Sequence, residues 1–162
     1  MCHYCGCREI PLIKEFIAEH ESVTDLAGKA VRLLERGDLD GAGRLAARMA
    51  EELRAHWDGE ERGLFRVMGG DPEYAAYVGA LIAEHRELAA FLGRLDLHLP
   101  DQRAAFVAAA EELHHHIAKE EDGLFPAALT ALTGDQWDTA MAAWQTVHRP
   151  DRPDHPDHPV IH

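Results

Sequence analysis

Residues 51–65 read EELRAHWDGEERGLF, and residues 111–125 read EELHHHIAKEEDGLF. Nine of the fifteen positions are identical, among them His56/His116, Glu60/Glu120, Glu61/Glu121, Gly63/Gly123 and Phe65/Phe125. At the centre of each copy lies His-x-x-x-Glu. On an α-helix, residues four apart are neighbours with Cβ atoms about 5–6 Å apart, so imidazole and carboxylate leave one face together. Turned inward, such a pair is a two-point clamp for a metal cation.

The apolar periodicity turns it inward. Around the first copy the stripe runs Leu45, Met49, Leu53, His56, Glu60, Leu64, Val67; around the second it runs Phe106, Ala109, Leu113, His116, Glu120, Leu124. His and Glu stand on the apolar ladder of an amphipathic helix rather than on its polar face. A carboxylate in a helix-bundle core is costly unless something positive pairs with it. No Lys or Arg occupies a stripe position in the four main helices. A metal cation is the simplest remaining partner.

Two further helices carry histidine in the same way. One stripe runs Ile13, Phe16, Ile17, His20, Val23, Ala27, Val31, Leu34, and the other runs Tyr74, Val78, Leu81, His85, Leu88, Leu92, Leu95. Each His closes an Ile-Ala-Glu-His tetrapeptide, at 17–20 and 82–85, so the chain reads as one helical hairpin duplicated. In an up-down-up-down bundle, residues at one level lie equally far from the turn between them. The midpoint of His20 and His56 falls on Gly37-Asp38, that of His56 and His85 on Gly69–Pro72, and that of His85 and His116 on Pro100-Asp101. Each is a turn signal. Four histidines and two glutamates therefore converge on one layer, roughly 20–27 Å from the bundle ends at 1.5 Å per residue. A lone mid-stripe histidine is more often a satisfied core residue, but this convergence favours ligation. The expected fold is all-α, an up-down-up-down four-helix bundle with a short extra C-terminal helix.

The 162 residues suit one domain with a full core, and the 46% apolar content is that of a soluble protein. No run of about 18 apolar residues suggests a membrane span, and no leader pattern opens the chain, so a cytoplasmic protein is expected. The net charge of −13 argues against nucleic acid and anionic membranes as partners. Residues 1–8, MCHYCGCR, form a Cys-rich segment with Cys2, Cys5 and Cys7. Such spacing suits zinc or iron and defines a candidate second metal site. An exposed or reactive tail fits the same residues, and the two readings stay open. The bundle is expected over 9–132, with helices at about 9–36, 38–67, 72–95 and 100–126, the last either ended by Pro126 or kinked there and continuing to Leu132. Thr133–Gln136 reads as a capping box opening a helix over 133–148, docked by Trp137, Met141 and Trp144. Residues 149–162 form a Pro/Asp/His-rich tail, expected to be extended or disordered.

With these residues in place, the chain resembles the hemerythrin-like (HHE cation-binding) family, of bacterial type, over about residues 10–132. The resemblance implies a non-haem di-iron centre held by His20, His56, Glu60, His85, His116 and Glu120. In the family two carboxylates bridge the irons, with an oxo or hydroxo group expected beside them. It further implies a small gaseous or peroxide ligand, and either oxidative or nitrosative stress chemistry or oxygen sensing, with enzymatic turnover left open. Two departures stand out. Where oxygen carriers have a further histidine four residues on, this chain has Ala89 after His85. That makes the two metal shells alike and favours peroxide or nitric oxide over stable oxygen storage. Where they have His-x-x-x-x-Asp, Glu120 lies at +4 and Glu121 at +5, so either glutamate can bridge, and Glu120 is favoured by its stripe position. Glu52 and Glu112, one turn before each clamp histidine, read as surface carboxylates or as partners of those histidines, with the surface favoured; Glu61 and Glu121 otherwise read as helix-flank charges, and His114 and His115 as solvated. The alternative function is a non-catalytic iron or zinc buffer or sensor acting through its termini.

Overall fold

The computed structural model describes residues 6–148. A short 3-10 turn, Cys7–Glu9, leads into α1 (Pro11–Glu35), followed by α2 (Leu39–Arg62), α3 (Leu64–Met68), α4 (Ala75–Leu92) and α5 (Pro100–Lys119). A π turn (Glu120–Leu124), α6 (Phe125–Ala131) and α7 (Gly134–His148) complete the order. The architecture is the expected all-α bundle with an extra C-terminal helix. Cys7 is half-buried, whereas Cys2, Cys5 and the 149–162 tail lie outside the described residues.

Local chemistry sets most of the boundaries. Gly37, at φ +78°, ends α1 in a left-handed turn that glycine adopts without a Cβ penalty. Asp38 then caps α2, its side chain accepting from the Gly41 N–H at 2.8 Å. Pro100 occupies the first turn of α5, where a missing N–H costs nothing. Gln136 Oε1 accepts from the Thr133 N–H at 2.9 Å, one arm of the expected capping box.

Three boundaries differ from expectation. The second helix does not continue to about 67: it breaks at Gly63, with φ −102° and ψ −101°, and the shifted register buries Phe65 and Met68 rather than Val67. The helix expected over 72–95 is α4, and it starts at Ala75 rather than Pro72, because Asp71 first closes a turn, accepting from the Glu73 N–H at 2.9 Å through its side chain. It stops at Leu92, capped by Gly93, short of Leu95. At Pro126 the expected continuation is what the structure has, with α6 running on to Ala131. The π turn before it widens the coil, so the ring no longer meets the carbonyl one α-turn back. On α5 the buried alanine is Ala110 rather than Ala109.

Two apolar clusters fill the bundle. One joins Leu12, Phe16, Leu64, Phe65, Met68, Leu81 and Phe125 with Ala140 and Trp144 of α7. The other joins Val23, Ala27, Ala46, Met49, Leu53, Phe106 and Leu113. No helix among the described residues is long and apolar enough to cross a membrane.

Candidate metal centre

The buried polar or charged side chains among the described residues are His20, His56, Glu60, His85, His116 and Glu120. They are the six that the stripe pattern brings to one layer. Ionised or polar groups are rarely buried without strong pairing, so their arrangement must explain why they are tolerated.

They form two imidazole pairs around two carboxylates. His20 on α1 faces His56 on α2, Nε2 to Nε2 at 3.0 Å, and His85 on α4 faces His116 on α5 at 2.9 Å. Glu120 divides its oxygens between the pairs. Its Oε2 lies 3.1 Å from His20 Nε2, while Oε1 lies 2.9 Å from His116 Nε2 and 3.6 Å from His85 Nε2. Glu60 Oε2 lies 3.3 Å from His56 Nε2 and 3.7 Å from His85 Nε2. Despite these short distances, none of the four carboxylate oxygens has hydrogen-bond geometry to any donor. Two groupings of ligand atoms emerge, His20/His56/Glu60/Glu120 and His85/His116/Glu120, with atoms within 4.8 Å of one another in each. Glu120 belongs to both; Glu121 belongs to neither.

The outer nitrogens explain the inner ones. Each Nδ1 meets a carboxylate: His20 with Glu121 at 3.1 Å, His56 with Glu19 at 2.7 Å, His85 with Glu61 at 2.9 Å and His116 with Glu84 at 2.8 Å. An ionised carboxylate only accepts, so each neutral ring keeps its proton on Nδ1 and aims the Nε2 lone pair inward. The centre is then a cage of lone pairs and carboxylate oxygens with no donor inside it. Such a donor set fits a cation, and carboxylate–histidine–metal relays of this kind orient the ring and raise its basicity.

Aromatic rings fix the imidazoles. Phe125 stacks on His20 with centroids 6.0 Å apart, and Phe16 meets His56 edge-on at 5.7 Å. His85 lies between Trp57 at 5.0 Å and Phe65 at 5.4 Å. Two cavities open beside His85. One, of about 630 Å³, runs past Trp57, Asp58 and Glu61; the other, of about 380 Å³, also reaches His116, past Leu88, Phe91 and Leu113.

Protons satisfy the cage when metal does not. Burial, then the neighbouring Glu120 charge, pushes the Glu60 carboxyl well above the usual carboxylate range. Against burial, the imidazoles of His116, His20 and His85 hold Glu120 well below it. Burial takes His56 down to about 4, whereas Glu120 and Glu121 overcome burial to lift His20 to about 9. Metal and protons compete for the same lone pairs.

The sequence pattern placed the six inner residues but missed the four outer glutamates. Glu61 and Glu121 are not simple flank charges, since they carry the His85 and His20 imidazoles. The signal was present in the repeats, because Glu19 and Glu84 share the Ile-Ala-Glu-His tetrapeptide, and Glu61 and Glu121 each follow a clamp glutamate. Glu52, by contrast, is a surface group bonded to Ser22 and Arg48. His114 and His115 are exposed. The candidate cysteine site cannot be assembled from Cys7 alone, as Cys2 and Cys5 fall outside the described residues.

Among known protein families, the one described as Hemerythrin HHE cation binding domain matches residues 12–128. No curated protein and no solved structure matches the chain.

Proposed function

The chain belongs to the hemerythrin HHE cation-binding domain family, and from that premise we propose a non-haem di-iron protein that binds or reacts with dioxygen, peroxide or nitric oxide. The observation that carries this reading is the cage itself, in which four inward Nε2 atoms and four carboxylate oxygens meet with no donor among them. In this reading His20 and His56 would hold one iron and His85 and His116 the other, with Glu60 and Glu120 supplying carboxylate oxygens to the same layer. Mixed imidazole and carboxylate donors suit iron.

Bound iron would supply one-electron redox chemistry and coordination positions for a small ligand. The chain's own residues do the rest. Glu19, Glu61, Glu84 and Glu121 keep a proton on each Nδ1 and fix the ring planes. Phe16, Phe65 and Phe125 exclude water from the layer. Ligands of a few atoms would enter beside His85, through the cavity lined by Leu88, Phe91 and Leu113 together with Glu84, Glu87, Glu112 and Lys119. Trp57 Nε1–H is buried there without an acceptor, a donor available to an incoming oxygen or nitrogen atom.

Anaerobic ferrous loading followed by air tests the proposal. Elemental analysis should give two irons per chain, oxidation should be prompt, and azide added to the oxidised protein should produce a new visible charge-transfer band. A chain that holds only zinc, with no such band after iron reconstitution, would be a metal buffer or sensor instead. An oxygenated form stable for hours would restore the oxygen-carrier reading.

A further inference from the structure

The matched family segment ends at residue 128 and begins at residue 12. Two pieces of the described chain therefore lie outside it: the turn that carries Arg8, and α7. Both reach the same half of the centre. Arg8 Nη1 donates to Glu121 Oε2 at 3.0 Å, and the other oxygen of Glu121 holds His20 Nδ1 at 3.1 Å. Trp144 Nε1 donates to Glu19 Oε1 at 2.9 Å, with His148 Nε2 3.1 Å from the same oxygen, while Glu19 Oε2 holds His56 Nδ1 at 2.7 Å. In each case one carboxylate oxygen serves the imidazole and the other is fastened by a residue from outside the matched segment.

The seat of α7 is built for this approach. A Cβ on Gly59 would stand 3.0 Å from both Trp144 and His148, and a Cβ on Gly63 would stand 2.7 Å from the Ala140 carbonyl oxygen. Ala140 is fully buried and Trp144 nearly so, and His148 stacks on Trp144 with centroids 4.5 Å apart. Among the described residues, the His85/His116 half has nothing comparable. Glu84 is held by Lys119, on a neighbouring helix of the bundle itself and 45% exposed, and the Glu61 side chain is 34% exposed.

We infer that the flanking segments are a clasp on one metal position, with Arg8, Trp144 and His148 as positioning residues that act through Glu121 and Glu19 on His20 and His56. Fastening the outer carboxylates pre-orients the two rings, so this position binds metal more tightly and exchanges it more slowly than the His85/His116 position. The inference rests on the reading that the cage binds two metals.

Cobalt(II) titrated into the full metal-free chain against a chromogenic chelator, with the visible cobalt bands followed, separates the possibilities. Wild type should take up two equivalents of unequal affinity. Trp144→Phe, which keeps most of the burial, should weaken the tighter equivalent on the order of tenfold and shift its bands, leaving the other within about twofold. His148→Ala should act in the same direction. Because the effect runs through Glu19, Trp144→Phe combined with Glu19→Gln should be no worse than Glu19→Gln alone, whereas Trp144→Phe with Glu84→Gln should add. If Trp144→Phe fails to fold, the Arg8→Met and Glu121→Gln cycle decides, since Arg8 is outside the core. Additivity with the carboxylate that each residue fastens, equal weakening of both equivalents, or no change in a folded variant would overturn the clasp and leave the cage standing. A wild-type chain that takes up no cobalt would overturn both.

Discussion

His20 and His56 meet between α1 and α2 with their Nε2 atoms 3.0 Å apart, and His85 and His116 meet between α4 and α5 at 2.9 Å. Every Nδ1 in both pairs ends on a carboxylate. Beyond that shell the likeness stops. The first pair is fastened from outside by Arg8, Trp144 and His148, while the second adjoins open cavities and an exposed lysine. Inner donors are constrained by the chemistry they share, since each ring must offer a lone pair in one direction. Outer partners need only hold a carboxylate still, so a duplicated hairpin is free to differentiate there. On the proposed clasp, one position is built for retention and one for access.

The sharpest way to break this picture is to remove what the two halves share. Glu120 touches both pairs through different oxygens, whereas Glu60 offers one oxygen to His56 and His85. Glu120→Ala should therefore lose both equivalents, weakening each beyond the roughly 10–100-fold typical of outer-shell changes. Glu60→Ala should keep one measurable equivalent. Metal-free stability should move the other way at Glu60, whose buried oxygens have no hydrogen-bond partner. Glu60→Met should raise the apo melting temperature, because a buried polar group left without a partner costs about 1–3 kcal/mol and the apolar side chain removes it. Retention of a full equivalent by Glu120→Ala would show that the halves are independent sites rather than one bridged centre.

The bundle and its six-residue layer were legible because both follow from periodicity. A histidine or glutamate on an apolar stripe is visible without coordinates, and equal distances from turns fix its level. The outer glutamates recur in the repeats, but repetition did not mark them as partners, because Glu61 and Glu121 sit one residue off the stripe and look like any solvated carboxylate. Only the inter-helix distance turns them into ring holders. Nor could periodicity foresee the two backbones of the repeated Gly-Leu-Phe. Copy one breaks at Gly63 and copy two widens into a π turn around Gly123, because different elements press on each. At Gly63 that element is the α7 backbone, and at Gly123 it is the Tyr77 side chain.

That contrast is testable and of intermediate size. A Cβ on Gly63 would lie 2.7 Å from the Ala140 carbonyl oxygen and 2.9 Å from the Gly59 carbonyl oxygen, both backbone atoms that cannot move alone. Gly63→Ala should cost about 1–3 kcal/mol, the range for overpacking that forces backbone shifts, and should loosen α7. A Cβ on Gly123 would meet only the Tyr77 side chain, its hydroxyl at 2.5 Å and its ring beyond, the far end of a residue that is 41% exposed. Swinging it aside sacrifices its bond to the Lys119 carbonyl at 2.8 Å, so Gly123→Ala should cost about 0.5–1.5 kcal/mol. Chemical denaturation of the metal-free proteins gives the ranking, and amide exchange in 134–148 should rise only for Gly63→Ala. Equal costs, or exchange unchanged in both, would mean that α7 is not pressed onto that glycine.

The smallest effect is expected where the two halves should differ most in kind. Lys119 Nζ donates to Glu84 Oε1 at 2.6 Å and so occupies the place that Trp144 takes on Glu19. Yet Lys119 is 45% exposed and Glu84 is 35% exposed, so water and ions can replace the ammonium when it is lost. Exposed pairs of this type contribute about 0–1 kcal/mol. Glu84 would still accept from His116 Nδ1, 2.8 Å away through its other oxygen, and the ring would keep its orientation. Lys119→Met should therefore weaken only the looser cobalt equivalent, by no more than about threefold, and the difference from wild type should fade as added salt shortens the screening length to about 3 Å near 1 M. Trp144→Phe should show no such salt dependence, because its bond to Glu19 is made by a neutral, nearly buried indole. If Lys119→Met matched Trp144→Phe in size and salt response, burial of the outer partner would not matter, and the division into a held and an open position would fail.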